Sequence, residues 1–265
     1  MKLLDKIIQT KRGEVSTRMN QTSLQEIQER ENYARSCYSM KQSILEGTGI
    51  IAEFKRQSPS KGIIHENADP KQISEAYFRT GVSGISVLTD GQYFGGADRD
   101  FTDVRNQVSV PLLRKDFIID SYQIHESKAL GADVILLIAR ILTPDLVQEF
   151  TEIAHNLGME VLLETHAKTE IASHYFNEID LIGINNRDLD TFQVDIDRSI
   201  LLAQQLPEDT VKIAESGLSD PETVLKLRNN GFDGFLMGEV FMKEKNPGQA
   251  CKKFLEQLNP IAYEN

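Results

Sequence analysis

Ile50-Ile51-Ala52-Glu53-Phe54-Lys55-Arg56-Gln57-Ser58-Pro59-Ser60-Lys61-Gly62 begins as a strand and ends as a loop. The run Ile50 to Ala52 is short and bulky, as suits a strand buried on both faces. Residues two apart on a strand point to the same side, so Glu53 and Lys55 share one face where this strand ends. Ser58, Pro59, Ser60 and Gly62 then make a turn rich in hydroxyls and free backbone N–H groups, a place for an anionic ligand. Taken alone, the stretch reads as a solvated ion pair before an ordinary turn, worth little energetically. The rest of the chain changes that reading.

Similar β-like runs recur at 49–54, 84–89, 110–115, 133–138, 160–165, 180–185, 211–216 and 234–239. Their spacing of roughly 20 to 35 residues is that of a strand plus a crossover helix. Amphipathic segments fill the gaps. Asp69-Pro70, Thr143-Pro144, Asp220-Pro221 and Asn246-Pro247 each put a capping side chain before a proline at a first helical position. Asp120 with Gln123 offers a further capping pair. Gly81, Gly131, Gly158 and Gly231 stand just past apolar helical faces, where helices stop. Alternation of this kind builds either an open doubly wound sheet or a closed eight-stranded barrel. The count of eight favours the barrel, and so does the lack of a Gly-rich turn after the first run. The expected fold is a single α/β domain, a (β/α)8 TIM barrel over 49–265 with a helical extension over 1–48. In that extension Leu4, Ile7, Ile8 and Val15 fall near one helical face, with Lys and Arg expected on the other. Ser23-Leu24-Gln25-Glu26 matches a capping box that opens a second helix.

Composition narrows the partners. The chain of 265 residues carries a net charge of −11, which argues against a nucleic-acid surface but leaves room for a small basic pocket. No run approaches the roughly 20 apolar residues of a membrane span. Met1 to Lys6 lacks the apolar core of a signal peptide. Cys37 and Cys251 are far apart and form neither a disulfide framework nor a zinc spacing. The five histidines form no metal-binding cluster, and no dinucleotide fingerprint or P-loop is present. The expectation is a cytoplasmic monomer with two reduced thiols, acting on a small molecule, with no metal, nucleic acid or membrane.

In a barrel the chemistry sits at the C-terminal strand ends. Five runs here end in polar groups on the inward register. Glu53 and Lys55 end the first, Lys115 the third in line with Leu113, and Glu164 the fifth in line with Leu162. Asn185 and Arg187 end the sixth, and Glu215 the seventh in line with Ile213. Each alone has a structural reading: Lys115 pairing with Asp116, Glu164 capping a helix, Asn185 serving a turn. The fourth run, Ile135 to Ile138, stays apolar and offers a greasy wall. Ser216-Gly217 and Gly238-Glu239 follow the last two runs, where barrels often hold a phosphate on backbone N–H groups. Tight turns are the alternative reason for those glycines.

Residues 51–62, with Leu113-Arg114-Lys115-Asp116-Phe117-Ile118, Gly183-Ile184-Asn185-Asn186-Arg187-Asp188-Leu189, Ala214-Glu215-Ser216-Gly217 and Phe235-Leu236-Met237-Gly238-Glu239, closely resemble the motifs of the indole-3-glycerol-phosphate synthase family, in order. The resemblance spans nearly the whole chain. It implies a lyase of tryptophan biosynthesis that closes a ring with loss of carbon dioxide and water, without metal or organic cofactor. The implied substrate is 1-(2-carboxyphenylamino)-1-deoxyribulose 5-phosphate.

The resemblance also implies roles. Lys115 becomes the general acid, and cationic neighbours are expected to bring its pKa towards neutrality. Glu164 stabilises the cation that forms on the ring and orients Lys115. Lys55 holds the substrate carboxylate and Glu53 accepts a proton. Asn185 and Glu215 fix sugar hydroxyls and the lysines, and Arg187 steadies the charges. Ser58, Ser216, Gly217, Gly238 and Glu239 take the phosphate. Phe94, Phe117 and Leu136 form the slot for the aromatic ring, with Leu189 at its rim. Arg56, Gln57, Asn186 and Glu239 depart from the family's common residues, and Glu239 puts a side-chain phosphate contact in question. Two rivals are weaker. An isomerase of the same pathway needs a Cys–Asp pair at the mouth, and neither Cys37 nor Cys251 lies there. A non-catalytic barrel would have lost Lys115 or Glu164.

Overall fold

Eight short apolar runs pair side by side, and the first closes onto the last. A computed structural model, which describes residues 2–188 and 191–262, gives β1 (Ile50–Phe54), β2 (Gly84–Leu88), β3 (Leu112–Lys115) and β4 (Val134–Ile138). The remaining strands are β5 (Glu160–Thr165), β6 (Leu181–Asn185), β7 (Lys212–Glu215) and β8 (Gly234–Met237). All neighbours are parallel, and β1 pairs with both β2 and β8. With helices between the strands this is the (β/α)8 barrel. The strands lie where expected, trimmed by at most two residues.

Strand period divides the apolar residues into two cores. Ile51, Leu113, Leu136, Leu162, Ile213 and Leu236 point inward and fill the barrel. Their neighbours Ile50, Ala52, Leu112, Ile135, Val161 and Ala214 point outward against the helices. The barrel's interior is therefore packed, and only its C-terminal mouth is free for chemistry. Met40 and Ile44, from helix Met40–Glu46, join the inner core. That helix starts on Glu160 of β5, whose carboxylate accepts from the backbone N–H groups of Met40 (2.8 Å) and Lys41 (3.0 Å). Helix starts follow the sequence signals. Asp69, Thr143 and Asp220 each accept first-turn N–H groups ahead of a proline. Among the described residues no helix is long and apolar enough to cross a membrane.

The N-terminal helix α1 (Leu3–Gln21) differs from the sequence reading in one respect. Its buried residues are Ile7, Lys11 and Val15, so a lysine stands in the middle of the apolar face. Lys11 Nζ lies 2.9 Å from Asp90, 2.9 Å from Asp116 and 2.8 Å from Glu14. Asp90 follows β2 and Asp116 follows β3, so one ammonium fastens α1 across two strand ends. Burial alone would lower the Lys11 pKa, but Asp116 and Asp90 outweigh it and raise it above the ordinary value. The lysine is not on the solvent face because an ion triad this enclosed is held by mutual charge. Removing one partner of such a set leaves buried charge uncompensated.

Asp116 is the reciprocal case. Burial would raise its pKa, but Arg114 and Lys11 bring it down to about 2 from 3.8. A depressed carboxylate stabilises the fold above its unfolded pKa and loses that contribution as pH falls towards the folded value. We expect Lys11→Met to cost about 3 kcal/mol in urea unfolding at neutral pH. The wild type is expected to lose stability between about pH 4 and pH 2 more steeply than the variant does. Equal acid profiles would show that Lys11 does not hold Asp116 in its ionised form.

Candidate active site

The polar strand ends converge. Strand register sets Glu164 beside Gly183 and Asn185 beside Glu215 across β5, β6 and β7. Lys115, from β3, reaches across to them. Its Nζ lies 3.0 Å from Glu164 Oε2 and 2.5 Å from Glu215 Oε2. Asn185 Nδ2 donates to Glu164 Oε1 at 3.0 Å, while its Oδ1 accepts the Arg187 backbone N–H at 3.0 Å. Asn185 thus serves both the turn and the site. Lys55 pairs with Glu53 at 2.6 Å, so the pair in the opening stretch lies inside the mouth rather than on the surface. Glu53, Glu164, Glu215 and Asn185 are all buried.

These charges settle the state of Lys115. Burial would lower its pKa, but Glu164, Glu215 and Glu53 outweigh burial and raise it well above an ordinary lysine. The expected drift towards neutrality is therefore wrong. The neighbours are carboxylates, not cations. Glu164 goes the other way: burial opposes ionisation, yet Lys115, His166 and the Asn185 amide hold it well below the usual carboxylate range. Glu215 is raised, because burial and the nearby charge of Glu164 exceed what Lys115 returns. Two carboxylates sharing one ammonium are driven apart in this way. Among the described residues Glu215 Oε1 has no hydrogen-bond partner.

Two glycines make space for this cluster. A Cβ on Gly183 would collide with Glu215 Oε1, and one on Gly238 would press on the Glu53 carboxylate. Gly238 thus has a packing reason beside the phosphate role expected of it.

The structure brings fifteen of the sixteen expected residues to one pocket of about 290 Å³. Leu189 lies outside the described residues. Phe94 and Phe117 face each other with ring centroids 6.0 Å apart, and Leu136 forms the floor beside them. Ser58 is brought to the mouth by a short hairpin, Gln57–Ser58 against Gly62–Ile63. Arg56 pins the base of that hairpin by pairing with Asp100 and donating to Ala68 O at 3.1 Å. From the hairpin tip Lys61 reaches Glu239 at 3.3 Å. Arg187 lies 3.9 Å from Glu239 on the other side and donates to Phe192 O at 3.2 Å. The Arg187 guanidinium therefore belongs to the rim, and Arg187 meets the Lys115 cluster through its backbone N–H on Asn185.

Sequence reasoning missed three groups here. Leu3, Leu4 and Ile7 of α1 line the pocket. Phe192 lines it too; Phe192 (φ 59°) and Ser216 (φ 68°) are the non-glycine residues with left-handed backbone among those described. Such strain collects at functional sites. Asn186 Nδ2 holds the Ser216 carbonyl at 2.7 Å, which supports that turn. The third is His166, directly after β5 and 3.3 Å from Glu164. Only the lysine inside α1's apolar stripe gave a sequence signal that this helix meets polar partners.

The model of the family described as indole-3-glycerol phosphate synthase matches residues 4–254. This chain belongs to the indole-3-glycerol phosphate synthase family. Its relative from Bacteroides thetaiotaomicron, of that name, is 48% identical over 258 residues, covering 97% of this chain and 98% of that protein. The relative from Salinibacter ruber, with the same name, is 40% identical over 265 residues, covering 99% and 98%. Among solved structures, thiamine phosphate pyrophosphorylase from Pyrococcus furiosus superposes with a TM-score of 0.58 at 13% identity, covering 81% of this chain and 95% of that one. That likeness shows the shared barrel fold. In a family enzyme the space at Gly183 is a direct test of the cluster. Gly183→Ala is expected to displace Glu215 and slow turnover about tenfold or more, since small misplacements of reacting groups cost heavily. Circular dichroism should show the barrel retained; full activity would mean that the Glu215–Lys115 contact is dispensable.

Proposed function

We propose that this chain performs the family's reaction as a decarboxylating lyase of tryptophan biosynthesis. It would convert 1-(2-carboxyphenylamino)-1-deoxyribulose 5-phosphate into indole-3-glycerol phosphate, carbon dioxide and water. The observation that carries the reading is Lys115 held between Glu164 and Glu215 at the floor of an aromatic-walled pocket.

The chemistry follows from the placement. The electron-rich ring carbon bearing the carboxylate attacks the sugar carbonyl carbon. The carbonyl oxygen gains negative charge as the C–C bond forms. A lysine with a raised pKa remains fully protonated, and a developing alkoxide is basic enough to take its proton. The carboxylates around Lys115 thus favour its charged, proton-bearing form. Positive charge grows on the ring and nitrogen at the same time, and Glu164, held ionised, faces it. Loss of carbon dioxide neutralises that charge. Departure of the hydroxyl as water then needs an acid, a role for Lys55, and a proton acceptor, a role for Glu53. Glu215 positions Lys115 with one oxygen and offers the other to a sugar hydroxyl.

The two anionic ends of the substrate fit the two ends of the opening stretch. Lys55 would hold the carboxylate, and Ser58 would close over the phosphate beside Ser216, Gly217, Gly238 and Glu239. The backbone N–H of Glu239, not its carboxylate, would face the phosphate. Phe94, Phe117 and Leu136 would clasp the aromatic ring. Residues 1–48 and 49–265 would work as one domain, since Leu3, Leu4 and Ile7 complete the pocket wall.

Purified protein incubated with the carboxyphenylamino sugar phosphate should produce indole absorbance. Absence of turnover would overturn the reading. Lys115→Ala is expected to lower kcat by about 10² to 10⁴, the usual range for a general acid. Ser216→Ala should raise KM with kcat nearly unchanged, the pattern of a group that binds ground and transition states alike.

A further inference from the structure

His166 follows Glu164 by two residues and leaves β5 on the same side of the chain. Its side chain is buried, 7% exposed. Nε2 lies 3.3 Å from Glu164 Oε1, and Nδ1 lies 3.9 Å from Glu170 Oε2. Among the described residues neither ring nitrogen has a hydrogen-bond partner. Buried polar atoms are nearly always bonded, so an exception calls for a reason. Slack main chain is not the reason: the His166 backbone N–H donates to Glu170 Oε2 at 2.6 Å. His166 is not among the residues that line the pocket, whereas Glu164 is, and its Nε2 faces Glu164.

Glu164 is a junction. Oε1 accepts from Asn185 Nδ2 and faces His166, while Oε2 holds Lys115. When Lys115 turns its protons to a substrate oxygen, Oε2 loses part of its partner. The carboxylate then stays in place only if the Oε1 side grips it. At 3.3 Å the two atoms are already within hydrogen-bond distance and lack only alignment, so a tilt of the ring would complete the bond, and catalytic hydrogen bonds often tighten only in the loaded site.

We propose that His166 is a positioning residue for Glu164, donating from Nε2 to Oε1 and holding the carboxylate in place while Lys115 engages the substrate. This rests on the reading of Glu164 given above and extends it to a residue outside the pocket. Histidines and carboxylates behind metal sites act in the same way, and their loss costs about 10- to 100-fold.

Steady-state kinetics with the carboxyphenylamino sugar phosphate test it. His166→Phe keeps the ring and removes the donor; His166→Gln keeps a donor near the place of Nε2. The phenylalanine variant is expected to lose about tenfold or more in kcat. Its KM should stay close to the wild-type value, because His166 does not line the pocket. The glutamine variant should recover most of kcat. Wild-type kcat in His166→Phe, or equal losses in both variants, would overturn the proposal. A double-mutant cycle gives the last arm. Glu164→Gln should be slow, and adding His166→Phe to it should slow it no further. Independent losses that multiply would overturn the role of His166 and leave Glu164 standing. Wild-type turnover in Glu164→Gln alone would remove the role of Glu164, and this proposal with it.

Discussion

One ammonium shared by buried carboxylates governs the mouth of this barrel. Lys115 has Glu164 at 3.0 Å and Glu215 at 2.5 Å, with Glu53 close enough to raise its pKa further. A buried carboxylate without a partner would protonate or open the site to water. Glu164 and Glu215 therefore need Lys115, Glu53 has Lys55 as its partner, and Lys115 in turn needs the acids around it. Closure of the sheet makes the arrangement possible. Only a ring of strands can aim residues from β1, β3, β5 and β7 at one point while all their backbone groups stay paired. The space left by Gly183 and Gly238 belongs to the same constraint, since each gives its missing side chain's volume to a carboxylate.

The end of β3 serves two networks at once. Lys115 points into the mouth, while Arg114 before it is turned into a buried network and Asp116 after it meets the N-terminal helix. Arg114, fully buried, pairs with Asp98 at 3.1 Å and donates to the Thr89 hydroxyl at 3.1 Å. Asp116 pairs with Lys11 of α1 at 2.9 Å. The N-terminal helix is thus anchored one residue from the lysine that does the proposed chemistry. The same helix turns Leu3, Leu4 and Ile7 to the pocket. Stability of the extension and shape of the site are therefore not separable in this chain.

The barrel was legible because its signals are local and repeated. Eight apolar runs, proline-marked helix starts and glycine stops agree with one another, and all eight strands follow them. The site was legible as a set because strand period alone assigns an inward face to Glu53, Lys115, Glu164, Asn185 and Glu215. What sequence could not carry was which charge meets which. Lys115 was expected beside Glu164 and Glu215 but with cationic neighbours lowering its pKa; the acids instead raise it, a balance set by register between strands far apart in the chain. Lys11 was placed with the solvent-facing bases, although Ile7, Lys11 and Val15 fall four residues apart on one stripe. A charge inside an apolar stripe signals a buried partner, but the partners, Asp90 and Asp116, are identified only by the fold. Arg187 shares a strand face with Asn185 in sequence, yet the chain has left β6 by then and carries it to the rim.

The sign of the charge at the mouth is the point where structure bears most directly on the proposed reaction. The substrate is an anion at both ends, and the pocket floor holds three carboxylates against two lysines. Attraction of the ground state is not what such a floor provides. Its cations are spread rather than pooled: Lys55 pairs with Glu53 inside the mouth, and Lys61 and Arg187 approach Glu239 at the rim. In the proposed reaction the substrate's negative groups would meet those, while its neutral ring and carbonyl would lie over the acids. Positive charge appears on the ring only as the new bond forms, and the acids are already fixed in place when it does. Interactions that grow between ground and transition state are the ones that raise kcat. A floor of preset carboxylates, each held by a lysine, an amide or a glycine's vacant volume, is an arrangement of that kind.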